Sequence, residues 1–309
     1  MDIKHLRYFL AIVEHGSITR ASQSLNVAQP ALSQHVKNME EQLGTRLLNR
    51  SRSGVAATEA GTLLARRARS LLEDLARTED DIRTLDKDPT GVVRIGLPGT
   101  ISEIVAIPLI EAARTRYPRI ELNIAEAMSG FIADWLSEGR VDIAVLYEAA
   151  QDDGIVSEQL LEEELVVVWR GDTECLAEMS LAGLRDVPMV VPSGAHGLRK
   201  QINAALDALG IVPNVAMEID SYRNIKRLIA SGFGASILPS HAVLKETQAG
   251  SLAVSRIVDP GLWRGAHLIY PSGRPVSRAQ EAIRDLLREV VLGLLESGNW
   301  AAARSPQAV

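Results

Sequence analysis

Four polar side chains near the N-terminus have the chemistry to form hydrogen bonds with the edges of DNA bases. Ser33, Gln34 and Lys37 fall on one side of a helix together with Pro30 at 100° per residue, and the fourth, Gln29, lies at the start of that helix. Glutamine can pair with adenine through two hydrogen bonds, serine can bond several bases, and lysine can meet guanine or phosphate. Any surface helix has a polar face, so this face by itself indicates only exposure to solvent.

Two short helices and a turn would position these side chains. Ser17 suits the N-cap of a helix ending near Asn26, and Asn26 tolerates the left-handed backbone of a turn. The next helix begins near Ala28, and four apolar residues form its predicted buried face: Leu32, Val36, Met39 and Leu43. This pattern predicts a helix-turn-helix whose second helix meets the major groove. Thr19 and Arg20, early in the first of the two helices, are further predicted DNA contacts.

A basic hairpin is predicted after the second helix. Two short strands around Ser53 and Gly54 would project Arg50 and Arg52 toward the phosphate backbone or the minor groove. A solvated basic turn is the alternative interpretation. Residues 1–72 contain ten Lys/Arg and five Asp/Glu, whereas the rest of the chain contains 23 and 34. This basic head on an acidic body favours a polyanionic partner for the head.

A long helix is predicted over residues 58–86, with Thr58 as its N-cap. Its apolar positions follow a spacing of three and four residues, as in a coiled coil. Together these apolar positions would form one contact stripe along the helix, called here the seam. Its residues are Leu64, Ala68, Leu71, Leu75, Ile82 and Leu85. The seam needs a partner, either the helix's own chain or a second copy. We favour homodimerisation, because two reading heads would match a two-fold DNA site.

The stretch LRYFLAIVEHGSITRASQSLNVAQPALSQHVKNMEEQLGTRLLNR, followed by TEAG, resembles the N-terminal winged helix-turn-helix of LysR-type transcriptional regulators. The similarity runs from Leu6 to Gly61, and QPALS at Gln29–Ser33 is among its most characteristic pieces. Within the family, the stretch looks most like the branch of nitrogen-assimilation-control regulators. Leu48 stands where many members have phenylalanine, and Ser53 stands where many have a second wing arginine.

The resemblance implies a sequence-specific DNA-binding transcriptional regulator. It implies binding to double-stranded DNA at a dyad site with a T-N11-A core, and tetramers built as dimers of dimers. It also implies contact with RNA polymerase and a body with two lobes of the periplasmic-binding-protein kind. A small effector between those lobes would alter DNA bending and polymerase contact.

Short apolar strands alternate with helices from Val92 onward, which predicts an α/β body with mostly parallel sheets. We expect a winged helix-turn-helix domain over 1–58, a linker and dimerisation helix over 59–88, and an effector-binding domain over 91–300. The resemblance implies a first lobe over 91–161 and 267–300 and a second lobe over 162–266. Residues 301–309 would form a C-terminal tail.

Ligands collect beyond the carboxyl ends of the strands in open α/β sheets. Several small hydroxyl-bearing side chains follow predicted strands near helix N-termini, where small anions and especially carboxylates are favoured. The predicted effector contacts are Thr100, Ile101, Ser102, Ser129, Gly130, Tyr147, Ser193, His196 and Ser221. Serine and threonine also cap helices without binding any ligand, and that alternative remains open for each of them.

No catalytic or metal-ligating set emerges from the sequence, and no cofactor is expected. The six histidines are scattered, and Cys175, the only cysteine, has acidic neighbours that do not favour a reactive thiolate. No apolar run is long enough to cross a bilayer, and we expect a cytoplasmic protein. A cytosolic solute-binding sensor that acts through protein partners is the main competing hypothesis. An α/β enzyme with a DNA-binding head is a third.

Overall fold

The computed structural model describes residues 1–51, 54–83, 88–149, 154–194, 196–273 and 276–306. It contains two compact units, a head made mainly of residues 1–91 and a body made mainly of the chain that follows. None of the helices in these described ranges is long and apolar enough to span a bilayer.

The head combines helices with a small hairpin. Its elements are α1 (Ile3–His15), α2 (Ile18–Leu25), α3 (Gln29–Leu43), β1 (Leu48–Ser51), β2 (Gly54–Ala57) and α4 (Glu59–Arg83). The Oγ of Ser17 accepts a hydrogen bond from the N–H of Arg20 at 3.3 Å and so caps α2. Asn26 ends α2 in the left-handed conformation, with φ of 54°. These local signals produce the helix-turn-helix that the sequence predicts.

One apolar core holds the head together. Phe9 from α1 and Leu32, Val36 and Met39 from α3 are all buried in it. The prediction that Leu43 shares this buried face was wrong, because its side chain is 44% exposed. Leu43 is the last residue of α3, where the helix has run past the core.

The body is built from strands and helices in alternation. Its strands are β3 (Gly91–Leu97), β4 (Ile120–Glu126), β5 (Ile143–Leu146), β6 (Ile155–Arg170), β7 (Glu178–Met179), β8 (Met189–Val191), β9 (Val215–Glu218), β10 (Ser236–Pro239), β11 (Leu252–Ile257), β12 (Trp263–Pro271) and β13 (Ala303–Arg304). Its helices are α5 (Gly99–Arg116), α6 (Ser129–Ser137), α7 (Gly197–Asp207), α8 (Tyr222–Ala230), α9 (Leu244–Gln248) and α10 (Arg278–Glu296). Two short 3-10 helices cover Leu181–Leu184 and Ser240–Val243.

The pairing of these strands corrects the prediction of mostly parallel sheets. The pairs β3–β5, β8–β9 and β7–β11 are parallel. The pairs that β6 forms with β10, β11, β12 and β13 are antiparallel, as is β5–β12. The difference arises because β6 and β12 are long strands that run side by side in opposite directions. The apolar patterns of the sequence predict strands only over 164–169 and 267–271, which are parts of β6 and β12.

Strand β6 links the two lobes of the body. Its first part, up to Glu164, pairs with β12, and its second part, from Leu165, pairs with β10 and β11. One apolar core includes Ile95 and Leu268, and a separate core includes Val167 and Ile237. The short strand β13, which lies within the predicted C-terminal tail of residues 301–309, also pairs with β6.

Candidate nucleic-acid interface and ligand cavity

The polar face of α3 is exposed to solvent, as the sequence predicts. The side chains of Gln29, Pro30, Gln34 and Lys37 are exposed, and that of Ser33 is half-buried. Opposite them lie the buried residues of the same helix, which fix α3 to the core of the head. The structure therefore presents all five predicted side chains on the outward side of the helix-turn-helix.

Two of these side chains have partners within α3. Gln34 donates from Nε2 to Oδ1 of Asn38 at 2.7 Å, and Nζ of Lys37 lies 3.6 Å from Oε1 of Glu41. Both contacts are on the surface, where such pairs contribute little stability. Little free energy is therefore lost if these two side chains exchange their partners for another polar surface.

The N-terminal part of α2 adds two more exposed positions. Thr19 and Arg20 both face solvent. Ser22 donates from Oγ to the backbone carbonyl of Thr19 at 2.8 Å, so this bond does not engage the side chain of Thr19. Both residues lie on the helix that precedes the turn, as expected for the first helix of a helix-turn-helix.

The side chain of Glu40, on α3, holds the start of the hairpin through two hydrogen bonds, which together are called the Glu40 clamp. Oε1 of Glu40 accepts hydrogen bonds from the N–H groups of Leu47 and Leu48 at 2.8 and 3.2 Å. Val55 donates from its backbone N–H to the carbonyl of Gly16 at 3.0 Å. Arg50 is exposed and lies opposite Val55 in the register of β1 and β2. Arg52, the other predicted wing contact, lies outside the described residues.

Residues Thr58–Gly61 join the hairpin to α4 through a close backbone approach. Thr58 donates from Oγ1 to the carbonyl of Arg46 at 2.7 Å, and it accepts a hydrogen bond from the N–H of Gly61 at 3.0 Å. A Cβ atom on Gly61 would lie only 2.0 Å from the carbonyl oxygen of Leu47. Glycine is therefore required here for a steric reason.

The predicted seam of α4 divides into two parts. Ala68 is fully buried in the core of the head, and Leu64 packs against the same core. Leu71 and Ile82 are 57% and 68% exposed, and Leu75 is partly exposed. Leu85 lies outside the described residues. The first part of the seam thus packs against its own chain, and the second part leaves apolar side chains uncovered in the single chain.

The body contains a cavity of about 510 Å³ at the N-terminal ends of four helices, α5, α6, α7 and α8. It is lined by Pro98, Gly99, Thr100, Glu103, Glu126, Ala127, Met128, Ser129, Tyr147, His196, Asp220, Ser221, Tyr222, Arg223, Lys226 and Ala242. Free N–H groups at helix N-termini carry partial positive charge and attract anions. Lys226 is already paired with Glu246 at 2.6 Å, so it does not supply an unpaired positive charge.

Five of the nine predicted effector contacts line this cavity: Thr100, Ser129, Tyr147, His196 and Ser221. Ile101 does not, because its side chain is fully buried in the core of the first lobe. Ser102, Gly130 and Ser193 are also outside the lining, although Ser193 donates from its N–H to Oδ1 of the cavity residue Asp220 at 2.8 Å. His196 and Ser221 each cap the helix they precede.

A buried polar network lies next to the cavity, and sequence reasoning missed it. Arg264 on β12 stands opposite Glu163 on β6 and donates from Nε to Oε1 of that carboxylate. Trp300 donates from Nε1 to Oε2 of Glu163 at 3.2 Å, and Nδ1 of His241 lies 3.1 Å from the same oxygen. The Arg264 guanidinium carbon lies 3.4 Å from the ring centre of Tyr147.

Two contacts connect this network to the cavity lining. The hydroxyl groups of Tyr147 and Thr100 are 2.5 Å apart, and Nε2 of His241 lies 3.3 Å from the carbonyl oxygen of Thr100. A sequence signal for the network existed in the three consecutive glutamates of β6, Glu162–Glu164, which are unusual inside a strand. The partner of Glu163, however, is 101 residues away and is fixed only by strand register.

Burial and charge shift the pKa values of these groups. Burial by itself raises the pKa of Glu163, but the Arg264 guanidinium and His241 outweigh it and lower the pKa to about 2. Burial raises the pKa of Tyr147 well above its ordinary value, so the hydroxyl stays neutral. Burial lowers the pKa of His196, and the positive charge of Arg264 lowers it further. Near neutral pH, the network therefore contains an ionised carboxylate beside a guanidinium.

Across the described residues, no three histidine, cysteine or acidic side chains are grouped so that they could hold a metal ion. Cys175 is partly exposed, and its Sγ lies 3.9 Å from the carbonyl oxygen of Val254. The arrangement of helix N-termini and buried donors is suited to binding a small molecule.

Comparisons with known proteins agree with both parts of the chain. Residues 3–62 match the family described as "Bacterial regulatory helix-turn-helix protein, lysR family", and residues 86–292 match the "LysR substrate binding domain". The nitrogen assimilation regulatory protein nac of Escherichia coli K12 is 30% identical over 303 residues, which cover 97% of this chain and 99% of that protein. The corresponding protein of Klebsiella aerogenes is 31% identical over 293 residues, covering 94% of this chain and 95% of that protein.

Solved structures share the whole architecture. A full-length OxyR variant from Pseudomonas aeruginosa aligns with a TM-score of 0.78 at 23% identity, covering 100% of this chain and 99% of that one. Full-length CbnR in complex with its target DNA aligns with a TM-score of 0.56 at 22% identity, covering 94% of this chain and 100% of that one. At these identities the structural similarity establishes the fold.

Proposed function

Because the chain belongs to the LysR family of DNA-binding transcriptional regulators with an effector-binding domain, we propose that it reads a two-fold DNA site through α3 and responds to a small anion in the cavity of its body. The observation that carries the DNA assignment is the exposed polar face of α3 in its context. The helix is the second of a helix-turn-helix, and its Glu40 holds the start of the hairpin that carries Arg50.

The proposed DNA contacts divide into two groups. Gln29, Ser33 and Gln34, with Pro30 shaping the approach, would read base edges in the major groove. Contacts with the phosphate backbone would come from Lys37, Thr19, Arg20 and the two wing arginines, Arg50 and Arg52. The clamp from Glu40 to the start of the hairpin supports this assignment, because it ties the position of Arg50 to that of α3.

We further propose that the protein acts as a dimer through α4, and as a tetramer of two dimers. The exposed Leu71 and Ile82 support this proposal, because a second copy of the same helix would cover them. Two heads related by a two-fold axis would select a dyad with the T-N11-A spacing of the family. Regulation would then act on DNA bending and on contact with RNA polymerase in the cytoplasm.

The proposed effector is a small anion bound where four helix N-termini surround the cavity. Thr100 and Tyr147 on one side, and His196 and Ser221 on the other, would contact it. The matching domain boundaries are 1–58 for the head, 59–88 for the linker helix, and 91–300 for the effector domain. The lobes of that domain would be 91–161 with 267–300, and 162–266.

The relatives suggest two biological settings. Similarity to the nac proteins favours a role in nitrogen control. Several other relatives are named hydrogen peroxide-inducible genes activators. A peroxide response through a disulfide within one chain needs two cysteines, and this chain has one. Nitrogen control is therefore the setting that we propose.

Alanine replacement at Ser33 and Gln34 tests the DNA assignment. We expect the double variant to lose at least 10-fold in affinity for a selected dyad site, because each lost base contact typically costs about 1–3 kcal/mol. Affinity for random DNA, which depends on phosphate contacts, should change by less than about 3-fold. The measurement is fluorescence anisotropy with both DNAs at one salt concentration.

Gln23→Ala is the matched control, because Gln23 is an exposed glutamine of the head outside the proposed contact set. It should bind both DNAs like the parent protein. If the double variant loses affinity equally for selected and random DNA, α3 does not read bases through these residues.

A further inference from the structure

The guanidinium of Arg264 has hydrogen-bond donors that no described protein atom accepts. The side chain is 2% exposed, and its Nε donates to Glu163. Nη1 and Nη2 are fully buried, and no acceptor among the described residues meets hydrogen-bond geometry with them. The hydroxyl of Tyr222 lies close enough to interact with the guanidinium, but one hydroxyl oxygen cannot accept from all four N–H groups of these two nitrogen atoms. Buried donors are almost always paired, because an unpaired one has lost its water without compensation. Such a group calls for an acceptor that is supplied from elsewhere.

Glu163 does not meet this need, because both of its oxygens are already engaged. Oε1 accepts from Nε of Arg264, and Oε2 accepts from Nε1 of Trp300. His241 lies beside the same Oε2, at 3.1 Å. The carboxylate thus balances the charge of Arg264 but leaves its two terminal nitrogen atoms free.

The free donors lie next to the cavity wall. The ring of Tyr147, which lines the cavity, stacks on the guanidinium at 3.4 Å. Tyr222 also lines the cavity, and its buried hydroxyl lies beside the Arg264 guanidinium without a well-aligned acceptor for its own O–H among the described residues. Burial raises the pKa of this hydroxyl, and the nearby Arg264 guanidinium opposes the rise. The guanidinium therefore lies against two tyrosines of the cavity wall, Tyr147 and Tyr222.

We propose that Arg264 is the specificity-determining anchor of the effector, and that its Nη1 and Nη2 groups together bind one carboxylate of a small carboxylic acid. The hydroxyl of Tyr222 donates a third hydrogen bond to that carboxylate. This inference rests on the proposed function, and it narrows the effector from any small anion to a carboxylate.

The geometry and charge of the site favour a carboxylate over a phosphate. The two terminal nitrogen atoms of a guanidinium form a planar fork that matches the two oxygens of a carboxylate. Arg264 is already balanced by Glu163, and the cavity lining carries the acidic Glu103, Glu126 and Asp220 as well as Arg223. An incoming anion therefore depends on hydrogen bonds and on the nearby helix N-termini more than on net positive charge. One negative charge in a buried site costs less than the two of a phosphate.

The test uses the full chain and matched pairs of probe molecules. Acetate, succinate and benzoate are each compared with the corresponding amide, acetamide, succinamide and benzamide, by isothermal titration calorimetry. We expect at least one acid to bind and its amide to bind at least 10-fold more weakly. Arg264→Lys should weaken the acid on the order of 10- to 100-fold, since it keeps the charge and removes the fork.

Two more variants separate binding from folding. Tyr222→Phe removes only the unpaired hydroxyl and should weaken the acid by about 3- to 10-fold while the charge pair stays intact. Arg256→Lys is the control, because Arg256 is an arginine on the adjacent strand β11 that pairs with Glu164. It should bind the acid like the parent protein. Circular dichroism and DNA binding of each variant report whether the fold is retained.

Each alternative outcome contradicts a different statement. If the acid binds Arg264→Lys and Tyr222→Phe as well as it binds the parent protein, Arg264 is not the anchor, although a ligand site in the cavity survives. If acid and amide bind equally, or if none of the three acids binds, the carboxylate assignment fails. Specific DNA binding by the same preparations is measured separately, so loss of the DNA-binding function would be seen independently.

Discussion

Replacement of Glu163 by glutamine should destabilise the body, and the effect should depend on pH. Glutamine has nearly the shape of glutamate but no charge, so it leaves the buried guanidinium of Arg264 without a counter-ion. Breaking a buried ion pair in this way typically costs about 3–5 kcal/mol. We expect a loss of that size near pH 7.

The pH dependence follows from the lowered pKa of Glu163. Its pKa falls from the ordinary 4.5 to about 2 in the folded protein, and 1.36 kcal/mol for each pH unit makes this worth about 3 kcal/mol. Because the folded pKa is the lower one, this stabilisation is present above pH 4.5 and is lost as the pH falls toward 2. About 1.4 kcal/mol should be lost by pH 3.5. The difference between parent and Glu163→Gln should shrink by that amount.

Urea unfolding followed by tryptophan fluorescence measures this difference selectively. All four tryptophans, Trp135, Trp169, Trp263 and Trp300, belong to the body, so the head does not contribute to the signal. Glu162→Gln is the matched control on the same strand, because Glu162 pairs with the half-exposed Arg304 at 2.8 Å. It should cost less than about 1 kcal/mol. A difference between parent and Glu163→Gln that stays constant from pH 7 to pH 3.5 would refute the reasoning.

Two further predictions concern the head and the linker helix. Arg50→Gln should weaken binding to selected and random DNA alike and lower the slope of log K against log salt by about 0.9 for each head; an unchanged slope would remove Arg50 from the phosphate contacts. Leu71→Lys combined with Ile82→Lys should reduce the preference for a full dyad over a half-site by at least about 10-fold, because the two heads are no longer held together. Leu63→Lys is its control, since Leu63 is 49% exposed but lies off the seam; equal effects of the two changes would argue against the seam.

Local signals made the head predictable from sequence. Ser17 and Asn26 act through neighbours within three residues, and the spacing of Leu32, Val36 and Met39 depends only on helix geometry. The same periodicity failed for Leu43, because a helical pattern does not say where the core ends. Periodicity also predicted one continuous seam on α4. It could not show that Ala68 is buried in the core of the head whereas Ile82 is exposed in the single chain.

The body was less predictable because its strands pair over long distances. Arg264 and Glu163 meet only through the register of β12 against β6, which no local pattern encodes. The effector predictions relied on helix N-termini, and that reasoning placed Thr100 and Ser221 in the cavity wall. The same reasoning could not show that Thr100 faces the cavity whereas the adjacent Ile101 faces the core. Successive side chains on a helix point 100° apart, and for Ile101 this direction leads into the core.

Selection of binding sites from random double-stranded DNA tests the central claim most directly. The full chain should enrich a single sequence family with two-fold symmetry, containing T and A separated by eleven base pairs. The Ser33→Ala, Gln34→Ala double variant should lose that enrichment, whereas Gln23→Ala should retain it. Selection that yields no dyad with the parent protein, or the same dyad with the double variant, would contradict sequence-specific reading by α3.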